Sequence, residues 1–594
     1  MRRRVARAGA WAMVAGAWVA ASGGGVRRAG AEPVVVPAAP APTAPQATSG
    51  NANVVEKMFD GWRFRDGTAA LQDLVRAAPQ APQTLVMEGY AGFLKGDYEG
   101  SIRKLAQAID NAGAGAGADA TAAAAAKELQ GLATEARDAV KDHKEERSAH
   151  FWMRYPAEDA VLVPYALEAL ETAYRALHDD LGFEAEMPIR IEIYRSPSDL
   201  AAVSSLSPAE VARTGTIALC KWARLMVTTP RALAYGYPWL DSMNHELVHY
   251  AVSELTGDRA PVWLQEGLAK FLERRWREPA GGRLAPSMEH LLAKALRSGK
   301  LIGFDAMHPS MAKLPSAEDA TLAFAEVANA VAYLHSLGGM ASLRTTIKKV
   351  ADGVDARRAV AETAGGSWVD FERGWRVFMN AQRYKTFSAI DIPTTHIRKA
   401  NAIASRRKPT EDEALSASQK QAPAFRFLRL GNMMLQGNRL RAAAIEYEKG
   451  DKVGVVGGAS ATGGSAAREA ARAAAADPAV HWIFPVKLGR IYLALGEPDR
   501  ALKALAGVSA LYPDLPWPNL ISGQALLAKG DAPGALVALK ASLATNPFDP
   551  AVHCALAEAF GKLPVAAVSS TAAAGGTALE REREQRFCRE LAEP

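Results

Sequence analysis

Asn244-His245-Glu246-Leu247-Val248-His249-Tyr250, followed by Trp263-Leu264-Gln265-Glu266-Gly267-Leu268-Ala269, is the stretch on which the reading of this chain turns. His245 and His249 stand four residues apart, so on a helix both imidazoles share a face and can reach one ion. Glu246 then sits about 100° round the axis and can address a water on that ion. The neighbours support a helix. Leu247, Val248, Ala251, Val252 and Leu255 form one apolar arc, Asp241 or Ser242 can cap its start, and Gly257 can end it. A second amphipathic helix opens at Pro261, puts Leu264, Leu268, Phe271 and Leu272 on one face, and runs to Arg274, Arg275 and Arg277 before Pro279. The short Asp258-Arg259-Ala260 turn must fold the two helices together, and Gly267 permits a close approach that can aim Glu266 at the histidine pair. By itself, Glu266 with Lys270, Glu273 and Arg277 also reads as a solvated ion-pair face.

These residues resemble the gluzincin-type metallopeptidases of the MA clan, in which His-Glu-x-x-His is followed by a Trp-Leu-x-Glu-Gly-Leu/Phe-Ala helix bearing the third ligand. The chain looks most like the peptidase MA-like domains found beside tetratricopeptide repeats in bacterial exported proteins, over roughly residues 150–385. The resemblance implies one Zn2+ held by His245, His249 and Glu266 with water in the fourth position, Glu246 as general base, and a peptide or protein substrate. It also implies a Tyr or His that stabilises the oxyanion, for which Tyr333 and His335, on a helix expected over residues 319–337, are the candidates. In similar sequences that helix often begins Ala-Tyr-Ala, whereas here it reads Ala323-Phe324-Ala325. The departure keeps a second reading open: a tetratricopeptide scaffold whose peptidase-like domain no longer turns over substrate. Asp241 and Glu273 are candidates to orient a ligand imidazole, with an N-cap and a helix-face ion pair as their plainer roles.

Arg2, Arg3, Arg4 and Arg7 precede an apolar run over residues 8–21 and then Ala29-Gly30-Ala31, the three parts of an export signal. The run is short for a membrane span. Residues 1–31 are therefore expected to leave as a signal peptide, giving a periplasmic or secreted mature chain with no transmembrane domain; a signal anchor is the alternative. Cleavage removes six arginines and no acidic residue, so the formal charge of +6 falls to zero and the high pI belongs to the leader. A nucleic-acid partner is thus not expected, and Arg398, Lys399, Arg406, Arg407 and Lys408 read as a solvated linker. Cys220, Cys554 and Cys588 form no metal-type pair. Export would allow a bond between Cys554 and Cys588, but the spacing does not demand one, and two free buried thiols fit as well.

Composition divides the rest into a Pro/Ala-rich linker over 32–52, a helical tetratricopeptide-like region over 53–145, the peptidase-like domain over 150–385, a linker over 386–420, repeats over 421–565 and a tail over 566–594. Within the first helical region, Gly89, Gly96 and residues 101–108 match one helical hairpin. Strands are expected at 151–155, 189–194, 214–220 and 225–228. Gly489, Gly496, Ala501 and Pro513 recur 34 residues later as Gly523, Gly530, Ala535 and Pro547, which is the tetratricopeptide period. Leu430, Gly437 and Ala442 precede the first set by 59, that is 34 plus a 25-residue Gly/Ala/Ser-rich insertion. The fold expected is an α+β metallopeptidase-like domain, mostly helical with a small mixed sheet, flanked by all-α tetratricopeptide-like repeats. Their concave face would recruit a protein partner, or the repeats form an architectural layer.

Overall fold

A computed structural model describes residues 44–113, 117–307, 311, 314–387, 411, 424–456, 482–563 and 571–593. The leader, the basic stretch at 398–408 and most of the insertion after Val453 lie outside these residues. Five helices come first: α1 (Ala44–Asp60), α2 (Phe64–Ala77), α3 (Pro82–Lys95), α4 (Tyr98–Ala112) and α5 (Ala118–Val140). The first of them begins inside the stretch expected to be a linker.

The chain then builds a sheet from β1 (His143–Arg147), β2 (Phe151–Pro156), β3 (Ile189–Tyr194), β4 (Ala218–Lys221) and β5 (Arg224–Thr228), with helices α6 (Val163–Leu181), α7 (Pro197–Ala202) and α8 (Pro208–Thr214) between them. The strand order is β1-β2-β3-β5-β4. β2, β3 and β5 run parallel, and each outer strand pairs antiparallel, so the sheet is mixed. β1 was not expected, because His143-Lys144-Glu145-Glu146-Arg147 has no apolar face. As an edge strand it needs only one ladder partner and leaves its charges to solvent. The strand expected over 214–220 starts later, because Ser207 and Glu210 form a capping box that commits the preceding residues to α8.

The helices that carry the quoted motif follow: α9 (Trp239–Thr256) and α10 (Val262–Leu272), then α11 (Pro286–Ser298), α12 (Ala317–Gly338), α13 (Met340–Ala351), α14 (Ala356–Thr363) and α15 (Trp368–Ala381). α9 starts at Trp239 after Pro238, so Asp241 and Ser242 lie in its first turn and do not cap it. Gly257 ends it in the left-handed conformation, φ 60°, as expected. α10 stops at Leu272, short of the three arginines that were expected to extend it. Arg274 and Arg277 instead reach Asp241, and Arg275 reaches Asp180.

The remaining helices are α16 (Phe425–Gln436), α17 (Leu440–Val456), α18 (Ile483–Ala494), α19 (Pro498–Leu511), α20 (Pro516–Ala528), α21 (Ala532–Leu543), α22 (Pro550–Gly561) and α23 (Thr571–Ala592). Hairpins α3–α4, α18–α19 and α20–α21 close in one way. A Cβ at Gly89, Gly489 or Gly523 would come within 2.6, 2.9 or 2.5 Å of Leu105, Leu505 or Leu539 respectively, so only glycine lets the facing leucine in. In α16–α17 the same relation joins Gly431 to Tyr447. The packing glycine is therefore Gly431, not the position of Leu430, and the expected offset is one residue too long. The stretch expected to be a tail is helical in α23 and is tied to α22 by a disulfide between Cys554 and Cys588. Cys220 is free.

One hydrophobic core runs from Val55 and Phe59 of α1 through Ile191 of β3, Leu247 of α9 and Leu264 of α10 to Leu539, Leu543, Val552 and Phe587 in the last hairpins. A second, built from Leu428, Tyr447, Ile483, Leu505 and Ile521, holds the outer hairpins together. The helix that carries His245 and His249 is thus packed on both sides of the pair. Trp239 Nε1 donates to Leu543 O and Tyr237 N to Thr545 O, both at 3.2 Å, while Trp62 meets Tyr250 edge-on with ring centroids 4.9 Å apart. Among the described residues, no helix is long and apolar enough to cross a membrane.

Candidate metal centre

α9 and α10 fold back on each other through the turn at Asp258, and α10 lies against α12. A Cβ at Gly267 would come within 2.8 Å of Val331 Cγ2 and 2.9 Å of Val327 O, so this contact requires glycine. Glu266 is thereby turned onto the histidine face of α9. His245 Nε2 and His249 Nε2 lie 3.1 Å apart, and Glu266 Oε2 lies 3.2 Å from the first and 3.4 Å from the second. Three ligand atoms bound tetrahedrally to one ion at ~2.0–2.1 Å must stand roughly 3.3–3.4 Å from one another. The triangle has nearly that size, and two imidazole nitrogens facing one carboxylate oxygen form the donor set that suits zinc.

Glu246 lies beside this triangle with 6% of its surface exposed. Burial lifts its carboxyl above the usual range, against the pull of both imidazoles and of the Cys220 backbone on β4. His245 is held from the other side by Glu273, whose Oε2 is 3.0 Å from Nδ1, while Lys270 Nζ sits 2.7 Å from Glu273 Oε1. Burial would lower His245, but its hydrogen bonds to Glu266 and Glu273 outweigh that and raise it to about 10. Burial likewise opposes ionisation of Glu273, yet the Lys270 charge and the His245 contact bring it down to about 2. Gln265, Ser253 and Asp258 stand behind His249 and were not singled out in the sequence. Gln265 occupies the variable position of the quoted motif, and the other two carried no signal beyond helix and turn.

Three sequence candidates stand elsewhere. Asp241 accepts from Trp276 Nε1 at 3.0 Å and from Arg277 Nε at 3.1 Å, and pairs with Arg274, so its oxygens serve cations and not an imidazole. Tyr333 packs its ring on Phe371 and Phe378, with centroids 5.3 and 5.5 Å away. His335 lies against Phe271, with centroids 5.1 Å apart. Neither lines the cleft, because the part of α12 that does so is its first two turns, at Ala317, Ala320 and Phe324.

That cleft, about 470 Å³, opens over the triangle. Its lining includes the strand edge at Ala218 and Cys220 and the apolar side chains of Met288, Met311, Leu314 and Phe324. Residues 169–381 match the Peptidase MA superfamily. They form a peptidase MA-like domain that holds the triangle, Glu246 and all the residues that line the cleft, and the match points to a hydrolase of peptidase type. It leaves out β1 and β2 as well as the flanking helices. No curated protein matches the chain.

Proposed function

We propose that the protein is an exported zinc metallopeptidase in which His245, His249 and Glu266 hold the ion and Glu246 is the general base. The observation that carries this reading is the triangle of donors beside a buried glutamate at the floor of a cleft. Zinc held there would lower the pKa of a bound water toward neutrality and polarise a peptide carbonyl. Glu246 takes the proton of the attacking water and returns it to the leaving amine, so the atoms balance in hydrolysis of one peptide bond. Its burial suits the task, since a carboxyl raised toward neutrality is the stronger base.

β4 supports a peptide as substrate. Ile217 O accepts from Thr228 N, so alternation along the antiparallel ladder turns the peptide groups of Ala218 and Cys220 outward, toward the cleft. An extended peptide can add there as a further strand. The leader at residues 1–31 and the disulfide support export, since such bonds persist in oxidising compartments. The hairpins from α16 onward, of which α18–α19 and α20–α21 repeat at 34 residues, are tetratricopeptide-like and would present a protein substrate or partner to the cleft.

One observation favours a second reading, a scaffold with an inactive peptidase-like domain. Among the described residues, those lining the cleft include no tyrosine and no histidine besides His245 and His249, so neither the phenol nor the imidazole expected to stabilise the oxyanion faces it. Metal content and turnover of a mixed peptide library separate the two. The enzyme binds zinc and cleaves, and Glu246→Gln keeps its zinc while losing at least ~100-fold in kcat. Zinc without turnover in the wild type selects the scaffold, and equal turnover in Glu246→Gln removes Glu246 from the mechanism.

A further inference from the structure

The two histidines are held in different ways. His245 Nδ1 faces a carboxylate, Glu273, at 3.0 Å, whereas His249 Nδ1 faces the neutral amide of Gln265, with Oε1 at 3.2 Å. A carboxylate only accepts, so it fixes the imidazole unaided. An amide has an acceptor at one end and a donor at the other, and fixes nothing until its own orientation is set. Here that orientation is set from behind. Gln265 Nε2 donates to Ser253 Oγ at 3.2 Å, and the Ser253 hydroxyl donates to Asp258 Oδ1 at 3.0 Å. The row ends on a group that, ionised, can only accept, and its direction propagates forward through hydroxyl and amide to the imidazole.

We propose that Ser253 and Asp258 are positioning residues that act through Gln265 to hold neutral His249 with its proton on Nδ1, leaving the Nε2 lone pair among the metal donors. The inference rests on the metal reading above. Inverting the row shows what it prevents. With the amide turned round, its NH2 would face Nδ1, the ring would carry its proton on Nε2, and that proton would point into the triangle, 3.1 Å from His245 Nε2 and 3.4 Å from Glu266 Oε2. Ser253 lies one turn beyond His249 on α9, Asp258 lies in the turn with φ 58°, and Gln265 precedes Glu266. The turn that folds the two helices together therefore also sets the polarity of one ligand.

Ser253→Ala removes the hydroxyl without touching His249 or any other metal donor, and Gln265→Leu removes the amide. Three readouts are compared in the full chain at pH 8, above the value of about 7 to which burial lifts Asp258. They are zinc affinity by chelator competition, the exchange rate of the His249 Nδ1–H in zinc-loaded protein labelled with 15N-histidine, and the melting temperature of the metal-free protein. Outer partners of metal-bound histidines typically contribute ~10–100-fold to affinity. Ser253→Ala is expected to bind zinc about 10-fold more weakly with faster Nδ1–H exchange and an unchanged metal-free melting temperature, and Ser253→Thr to restore both. Gln265→Leu should fall further within that range, and decides by the same criteria if Ser253→Ala does not fold. Unchanged affinity, unchanged exchange, or a loss of affinity that follows a lowered melting temperature overturns the proposal. A wild type that binds no zinc overturns the metal reading itself, whereas a wild type that binds zinc no better than Ser253→Ala removes only the positioning role.

Discussion

Glu273 and Asp241 carry the same chemistry, the first at the end of α10 and the second in the first turn of α9, yet only Glu273 reaches an imidazole. The difference is which neighbours compete for the carboxylate. Arg274 and Arg277, left in turns when α10 ends at Leu272, claim Asp241, whereas Glu273 is contested only by Lys270 and can share its second oxygen with His245. Buried carboxyls without such partners behave in the opposite way. Glu326 on α12 is fully buried, accepts the Ile302 N–H at 2.8 Å through Oε1, and has no partner for Oε2. Burial lifts it to about 8 from the ordinary 4.5. An acid whose folded pKa is raised keeps its proton in the folded state while the unfolded chain releases it, so its contribution to stability declines as pH rises from 4.5 to about 8 and then levels off. The loss is on the order of 2–5 kcal/mol. Urea unfolding at pH 5, 7 and 9 should show a flatter dependence for Glu326→Gln than for wild type; parallel curves would show that Glu326 ionises freely in the fold.

Elements were legible where one face had to be apolar, and much less so where charge or a tertiary partner decided. Helices α9 and α12 and strands β2 and β3 stand nearly where the sequence puts them, because burial imposes a period on the sequence, whereas α10 stops short of the arginines. β1 could not be seen, since its charged residues adopt a strand only when β2 offers a ladder. α23 is a comparable case. Its sequence is polar on most faces, and it is held by Phe587, by Glu584, which accepts from Tyr165 OH at 2.6 Å, and by the Cys554–Cys588 bond. Closing a separation of 34 residues restricts the unfolded chain by ~3–4 kcal/mol. Reduction, or Cys588→Ser, should lower the melting temperature and speed proteolysis near residue 571 before any effect on metal content appears. Unchanged stability on reduction would mean that the helix is held by its packing alone.

For the whole molecule, the repeats are not one detachable arm. Their inner hairpins share the core of the peptidase MA-like domain and bond to the start of α9, while α16–α17 belong to the second core. Truncation before Pro516 should therefore abolish zinc binding together with folding. Excising residues 424–481 removes only α16, α17 and the insertion. Under the recruitment reading, that variant keeps zinc and short-peptide cleavage but shows a raised KM for a protein substrate, because tethering adds local concentration without changing the chemistry. An unchanged KM on folded protein makes the outer hairpins architectural, and loss of short-peptide cleavage makes them part of the catalytic fold.

The sequence by itself determined what depends on spacing: histidines one helical turn apart, a glutamate on the following helix, a glycine beside it that permits close helix approach, and a 34-residue repeat. Each of these is a local relation that helix geometry converts into a shared face. Only the tertiary structure decided what depends on competition between distant groups. It gave Glu273 to His245 and Asp241 to arginines, turned Tyr333 and His335 away from the cleft into aromatic contacts, brought Cys554 to Cys588, and ran one core through segments that composition had divided. The physical reason is that a side chain's partner is the nearest satisfied geometry among all the groups folding places around it, and those groups come from segments far apart in the chain.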